Sequence, residues 1–335
     1  MTRKRNFTPP QKATLHDVAA KVGVSPRTVS RVVNKEGGFS EATEARVMEA
    51  ITELGYRPNL LARGLITNRT NTLAFIVPNI DDPFFPEVAQ GVQRASLNRG
   101  LSMFLAVTNG DPAVERELLD RMISQAIDGA ILFPTPGARE HLKDLAEQGL
   151  PMVVIDDVVD HPSIACLRSD LEHGVELAVE HLRSTGRRTL GMIANRSSPP
   201  RSRRRERTFR SLEGEAAHVI RADATYDGGH RATVQMLRDH PEIDGIFAYN
   251  DLTAIGAMDA ARSAGRRIPE DLAVVGCDDI AMSARVSPGL STIRIDRERL
   301  GTEAVDLLAR VGPGEGERPA EPLTLPVELI VRQSS

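Results

Sequence analysis

The sequence predicts an N-terminal all-α helix-turn-helix headpiece joined to a larger α/β core built on parallel sheet. Three observations predict it. The first sixty residues carry apolar positions at helical spacing, punctuated by capping residues, and from Thr72 onward short β-rich runs alternate with helical stretches of ten or more residues. The charge is also divided: residues 1–70 carry 12 Lys+Arg against 6 Asp+Glu and the rest of the chain 30 against 40, for a net charge of −4 over 335 residues. A basic head on an acidic body implies a polyanion partner for the head.

The headpiece elements follow in order. In "ATLHDVAAKVGVSPRTVSRVVN", Thr14 is a candidate N-cap with Asp17 three residues later, a capping-box pattern with Asp in place of the usual Glu. Leu15, Val18, Ala19 and Val22 recur at helical spacing, Gly23 allows a tight turn, and Ser25-Pro26 supplies a cap followed by proline at the first helical position. On the second helix Val29, Val32 and Val33 face the first, while Arg27, Thr28 and Arg31 point outward. Ser40 caps a third helix with Val47, Ile51 and Leu54 on its buried stripe. The second helix of such a motif enters the DNA major groove, where a bidentate arginine reads guanine O6 and N7, so Arg27 and Arg31 are the base-reading candidates. The full headpiece set of DNA-contact candidates is Thr14, Ser25, Pro26, Arg27, Thr28, Arg31 and Asn34. A plain three-helix bundle with solvated arginines is the alternative.

In the core, "TLAFIV", "LSMFLAV", "GAILF", "PMVVI", "TLGMIA", "GIFAY" and "LAVVGC" read as buried parallel strands. No GxGxxG follows the first and no GxxxxGK[ST] occurs, so neither a dinucleotide site nor a P-loop is supported, and no cofactor is expected. Polar residues cluster just past the strand carboxyl ends, where open α/β sheets bind ligands: Asn79, Asp81 and Asp82, then Thr108 and Asn109, Asp156 and Asp157, Asn250 and Asp251, Asp278 and Asp279. Carboxylates and amides suit hydroxyls, and Phe84 or Phe85 suits the apolar face of a ring, so a polyol or sugar is the natural ligand class. Because an Asp after a strand is also a common helix cap, one member of each of the pairs Asp156/Asp157 and Asp278/Asp279 is expected to face the cleft. Cys166 and Cys277 make neither a disulfide framework nor a zinc set and read as buried apolar fillers.

The ordered motifs "TLHDVAAKVGVSPRTVSRVVN", "FSEATEARVMEAITELGYRPN", "ARGL", "NTLAFIVPNIDDPFF", "DGAILF", "FAYNDLTAIGA", "IPEDLAVVGCDD" and "PGLSTI" resemble the lactose repressor (LacI/GalR) family of bacterial transcription regulators over nearly the whole chain. The resemblance implies a two-lobed, periplasmic-binding-protein-like (type I) core over 70–335, with an N-lobe of about 70–169 and 291–320 and a C-lobe of about 170–290 and 321–331, following a headpiece of 1–58 and a hinge of 59–69. It carries effector contacts over to Asp82, Phe84 or Phe85, Asp156, Asn250 and Asp278. An "RxxGF"-like family motif falls on Arg205, although "RERTF" has Thr208 where glycine is usual. Seven arginines crowd residues 196–210 beside one acid, which read either as guanidinium forks for a sugar phosphate or sugar acid or as a solvated helix face.

The stretch "PNLLARGL", Pro58 to Leu65, is too short to hold a free helix, with Gly64 inside it. The resemblance makes Asn59 to Leu65 a hinge helix that orders on operator DNA against its dimer mate, with Leu65 as the minor-groove wedge, Arg63 reaching phosphate, and Asn59 and Ala62 among the contacts. A linker with leucines packed on the core is the alternative.

An enzyme is not expected. Adjacent Asp residues at a strand end point to opposite sides and do not form a glycosidase dyad, and no GxSxG, HExxH or CxxC framework occurs. A basic N-terminus without an apolar region behind it, and the absence of any run near the ~18 apolar residues of a membrane span, predict a cytoplasmic protein without a membrane partner. The expected partners are pseudo-palindromic double-stranded operator DNA and a small sugar-like effector. One helix-turn-helix covers one half-site, so a homodimer is expected. Release from DNA by an inducer is the favoured reading, with a corepressor role as the alternative.

Overall fold

Helix boundaries in the headpiece are set by side-chain caps. A computed structural model describes residues 13–56, 70–198, 203–214, 217–311 and 321–335, in two units that divide at Thr70. Helix α1 (Leu15–Val22) opens on the capping box, with Thr14 N–H donating to Asp17 Oδ2 at 2.7 Å and Asp17 N–H donating back to Thr14 Oγ1 at 3.3 Å. Gly23 ends it at φ 73°, a left-handed conformation that favours glycine. Helix α2 (Pro26–Val33) is capped by Ser25, whose Oγ accepts from Thr28 N–H at 3.1 Å, and α3 (Glu41–Leu54) is capped by Ser40 in the same way at 3.2 Å. Val18, Ala19, Val22, Val29, Val32, Val47, Ala50 and Tyr56 form the headpiece core. On α3 the buried pair is Val47 and Ala50, with Ile51 and Leu54 half-buried, because two short partner helices cannot cover the whole stripe. The hinge residues Asn59, Ala62, Arg63 and Leu65 lie outside the described residues.

The core holds two six-stranded sheets. The first runs in the order β11-β5-β4-β3-β1-β2, from β1 (Thr72–Val77), β2 (Ser102–Val107), β3 (Gly129–Leu132), β4 (Met152–Ile155), β5 (Ile164–Ser169) and β11 (Leu323–Leu325), and all its pairings are parallel. The second runs β12-β10-β9-β8-β6-β7, from β6 (Leu190–Asn195), β7 (His218–Ala222), β8 (Gly245–Ala248), β9 (Ala273–Asp278), β10 (Ser291–Arg294) and β12 (Glu328–Ile330); its β12–β10 pairing is antiparallel. The crossover helices are α4 (Phe84–Asn98), α5 (Pro112–Ser124), α6 (Arg139–Glu147), α7 (Leu171–Ser184), α8 (Arg204–Glu213), α9 (Tyr226–Asp239), α10 (Asp251–Ser263) and α11 (Arg297–Val311). Helices α4 and α11 meet at Gly91 and Gly301, where an added Cβ would lie 2.6 Å from the Glu298 and Val88 carbonyl oxygens respectively. Cys166 and Cys277 are both buried and are not joined in a disulfide.

The seven strands read from the sequence form, and five further ones join them. Of these, β7 is a half-exposed edge strand with a mixed sequence, β5 mixes Cys, Arg and Ser with its apolar residues, and β10, β11 and β12 are only three or four residues long. The short strands also move the lobe boundaries. The expected N-lobe return at 291 begins instead after Arg294, because β10 pairs with β9 in the second sheet. The expected C-lobe return at 321 begins after Leu325, because β11 pairs with β5 in the first sheet. The chain therefore passes between sheets three times, after Ser169, after Arg294 and after Leu325.

Candidate functional site

On the headpiece, the start of α2 carries the candidate readers. Arg27 is exposed, Thr28 is half-buried with its hydroxyl 2.9 Å from Ser25 Oγ, and Asn34 is exposed at the C-cap. Thr14 is exposed and Pro26 half-buried. Arg31 differs from expectation: its guanidinium lies against Gly38 in the loop after α2, so close that a Cβ there would fall 2.0 Å from Nη2. It is half-buried rather than projecting freely beside Arg27.

Within the core a cavity of about 540 Å³ opens between the carboxyl ends of the two sheets. All seven expected effector residues line it: Asp82, Phe84, Phe85, Asp156, Arg205, Asn250 and Asp278. Asp82, from the loop after β1, accepts from Phe84 N–H at 3.0 Å and from Asn250 Nδ2 at 2.9 Å. Asn250 caps α10, its Oδ1 accepting from Thr253 N–H at 2.9 Å and Thr253 Oγ1 at 2.5 Å, while Nδ2 also donates to the Ala224 carbonyl at 3.2 Å. Both amide donors and the carbonyl oxygen are thus engaged, and the Asp82–Asn250 bond joins the first sheet to the second across the cavity. Phe84, Phe85 and Phe133 pack edge-to-face with centroids 5.1 to 5.8 Å apart and line one wall.

Arg205 comes from α8. Its guanidinium stacks on the Tyr249 ring, 3.8 Å from the centroid, and its Nη1 donates to the Tyr249 carbonyl at 2.8 Å. Thr208 lies on the same helix and leaves the arginine in the wall. Asp156 sits at φ 59°, a strained backbone that aims its carboxylate to accept from Ser169 N–H at 3.1 Å. Asp278, at φ 114°, ends β9.

The acids share one medium and influence each other. Burial pushes Asp278 well above the usual carboxylate range, and the charges of Asp82 and Asp251 push it further. Burial also raises Asp82 and Asp156, against the lowering effect of their hydrogen bonds and, for Asp156, of Arg205 and Arg204. Burial pulls Arg205 downward, but Tyr249, Cys277, Asp278 and Asp156 outweigh it and raise the guanidinium further above its ordinary range. Among the described residues the lining carries six carboxylates (Asp82, Asp156, Asp157, Glu172, Asp223, Asp278) and two guanidiniums (Arg204, Arg205). Arg204 is already paired with Glu172 at 3.1 Å.

The Asp pairs divide unevenly. Asp278 faces the cavity while Asp279 turns away to Arg332 at 2.6 Å and Arg294 at 2.7 Å. Asp156 and Asp157 both reach the wall, against the expectation of one, because Asp157 lies there as the partner of Arg139 at 2.8 Å. Asp251 does not reach it: fully buried, it holds Ser283 Oγ and Thr292 Oγ1 at 2.6 Å and the Ile280 N–H at 2.8 Å, and burial raises it to about 7. Asp81 and Thr108 are also outside the lining, whereas Asn79 and Asn109 are in it. Sequence reasoning missed Thr135, Asn195, Asp223 and Tyr249. Asn195 and Thr135 were legible as polar residues at or just past strand ends, but Asp223 follows β7, a strand whose pattern does not announce itself. The arginine-rich segment splits: Arg204 and Arg205 line the cavity, while Arg210 pairs with Glu206 at 3.1 Å.

A helix-turn-helix followed by a two-sheet core with a ligand-sized cavity at its strand ends defines the class of DNA-binding regulators that carry a periplasmic-binding-protein-like domain. Residues 14–59 match the model of bacterial regulatory proteins, lacI family, and residues 179–335 that of a periplasmic binding protein-like domain. The ribose operon repressor of Halalkalibacterium halodurans is 34% identical over 330 residues, 96% of this chain and 97% of that one. The HTH-type transcriptional repressor PurR of Photobacterium profundum is 31% identical over 332 residues, 96% and 98% of the two chains. The lac repressor dimer bound to operator and the anti-inducer ONPF has the same fold with a TM-score of 0.87 at 26% identity, covering 97% of this chain and 99% of that one. The chain belongs to the lacI family and is a DNA-binding transcriptional repressor. No helix among the described residues is long and apolar enough to cross a membrane.

Proposed function

We propose that this repressor binds a pseudo-palindromic operator as a cytoplasmic homodimer, controls a sugar uptake or catabolism operon, and is released by a neutral, polyhydroxylated inducer in the inter-sheet cavity. It has no enzymatic role in this reading. The observation that carries the ligand class is the lining itself. Of the six lining acids, Asp157, Glu172 and Asp223 are paired with arginines and burial pushes Asp82, Asp156 and Asp278 toward the neutral form, while Arg205 is held on Tyr249. The lining therefore offers hydrogen-bonding carboxyls for hydroxyls rather than a cluster of open guanidiniums for a sugar phosphate or sugar acid. Carboxyls and amides around an aromatic cluster suit hydroxyls and a ring face. The ribose operon repressor among its relatives supports a sugar.

Thr14, Ser25, Pro26, Arg27, Thr28, Arg31 and Asn34 are the proposed headpiece contacts, and Asn59, Ala62, Arg63 and Leu65 the proposed hinge contacts, the latter on family resemblance. Effector binding shifts the relative populations of lobe orientations, and differential affinity for the two sets the size of the response. The exposed β2 edge, with Phe104 50% and Leu105 45% exposed, is the proposed seat of the second copy.

Neutral and phosphorylated sugars titrated against an operator mobility shift test the reading. Release by a neutral sugar is expected, and Asp278→Ala is expected to abolish release while leaving operator affinity within about twofold. Strengthened binding would assign a corepressor instead, and a response confined to phosphorylated sugars would overturn the ligand class. Operator affinity that ignored salt and sequence would overturn the regulator reading altogether.

A further inference from the structure

We infer that His218, His240 and Glu242 form a binding site for one divalent transition-metal ion of the zinc type, at the opposite end of the second sheet from the effector cavity. Two chain segments bring the three together. His218 is the first residue of the edge strand β7, while His240 caps the end of α9 and Glu242 follows it in the turn to β8. One ligand atom from each lies within 4.8 Å of the other two.

The Glu242 carboxylate stands close to both imidazoles. Glu242 Oε1 stands 3.4 Å from His240 Nδ1 and 3.9 Å from His218 Nε2. The longer separation is beyond a hydrogen bond and the shorter one is at its outer limit. Ligands held at zinc–nitrogen and zinc–oxygen lengths around a tetrahedral ion sit ~3.3–3.5 Å from one another, so small side-chain rotations complete the geometry. The two imidazoles lie face to face at an angle, with centroids 4.0 Å apart. That arrangement brings a ring nitrogen of each histidine to the same side, toward Glu242.

The side chains are accessible to an ion from solvent, with His218 23%, His240 41% and Glu242 53% exposed. Two imidazoles and one carboxylate match the borderline softness of zinc, with solvent at the fourth position. The ion would fasten the free edge strand β7 to the α9–β8 turn. Ala222, at the other end of β7, is on the order of 13 Å away along the strand, so the site is distinct from the effector pocket.

The test uses the full chain without a histidine tag, stripped with chelator and titrated with Zn²⁺ by calorimetry and with Co²⁺ by visible absorption. One ion per chain and the absorption of four-coordinate cobalt are expected. His240→Ala and His218→Ala should each weaken zinc binding by about tenfold or more and abolish the cobalt signal. Glu242→Gln, an exposed position that does not threaten folding, should weaken it in the same direction. Zinc should raise the melting temperature of the wild type and not of His240→Ala. Failure of the wild type to take up zinc, or unchanged stoichiometry and affinity in His240→Ala and Glu242→Gln, would overturn the site.

Discussion

At the scale of single residues, what matters is which way a side chain turns. Arg27 and Arg31 lie one helical turn apart on α2 and look equivalent in the sequence, yet Arg27 is exposed and Arg31 rests on Gly38. Arg27→Ala is therefore expected to relax base preference at one position of each operator half-site, at ~1–3 kcal/mol. Competition binding against a library of operators substituted at single positions reads this directly, and unchanged discrimination would place recognition elsewhere. The same logic separates Asp278 from Asp279. Alternation at a strand end made it legible that one would face the ligand, but the cations that claim the other, Arg294 and Arg332, come from β10 and the C-terminal segment far along the chain. Arg205 was legible only through family likeness. Nothing local distinguishes it from six other arginines until Tyr249 offers a ring to stack on.

At the scale of elements, the caps, glycine turns and long apolar strands were legible because each rests on neighbours in sequence. The headpiece helices begin where Thr14, Ser25 and Ser40 say they should. The short strands were not legible, since three residues of β11 or β12 acquire their conformation from the strand they join. Glu115 shows the same limit. In "PAVERELLD" it reads as one more acid in the first turn of a solvated helix. In the fold it is fully buried on α5 and accepts from Thr135 N–H at 2.7 Å, pinning the loop after β3 that lines the cavity. Burial raises it to about 7, against the lowering effect of its bonds to Thr135. The native state thus keeps a proton that the unfolded chain releases near pH 4.5. Its contribution to stability is complete below that pH and is lost as pH rises to about 7. At ~1.4 kcal/mol per unit, the loss is on the order of 3 kcal/mol. Glu115→Gln keeps an acceptor for Thr135 and removes the titration, so denaturant unfolding from pH 5 to pH 8 should show a flatter pH dependence than wild type. Parallel curves would show that Glu115 does not titrate in this window.

At the scale of the whole molecule, the parallel α/β class was legible from alternation, and the family's motifs supplied the two lobes. The resemblance placed the first exchange between lobes at 169 and the two later ones only approximately, because the return strands β10 and β11 are short and their sheet is decided by the neighbours they join, β11 with β5 across more than a hundred and fifty residues. The oligomer is a question at this scale too. On the edge strand β2, Phe104 and Leu105 are exposed, and nearby in sequence Leu97 is 62% exposed at the end of α4. Phe104→Asp is expected to shift the protein from dimer to monomer in sedimentation velocity and to lower operator affinity at least about tenfold, since each monomer then holds only a half-site. A variant that sediments as a dimer would place the interface on another face.

The three passages between the sheets lie along one side of the core. Ser169 ends β5 beside Leu325 of β11, and Arg294 ends β10 beside Glu328 of β12. In the lobe movement proposed above, strands clustered in this way would act as the pivot, and displacement would grow with distance from it. Asp278, on β9 beside β10, sits close to that axis and would travel little. Asn109, beyond β2, and Asp223, beyond β7, belong to the strands farthest out and would move like the tips of tongs. The bond between Asp82 and Asn250, set beyond β1 and β8, works at an intermediate arm. A ligand that replaces this one latch, rather than a contact at the axis, gains leverage over the angle between the lobes.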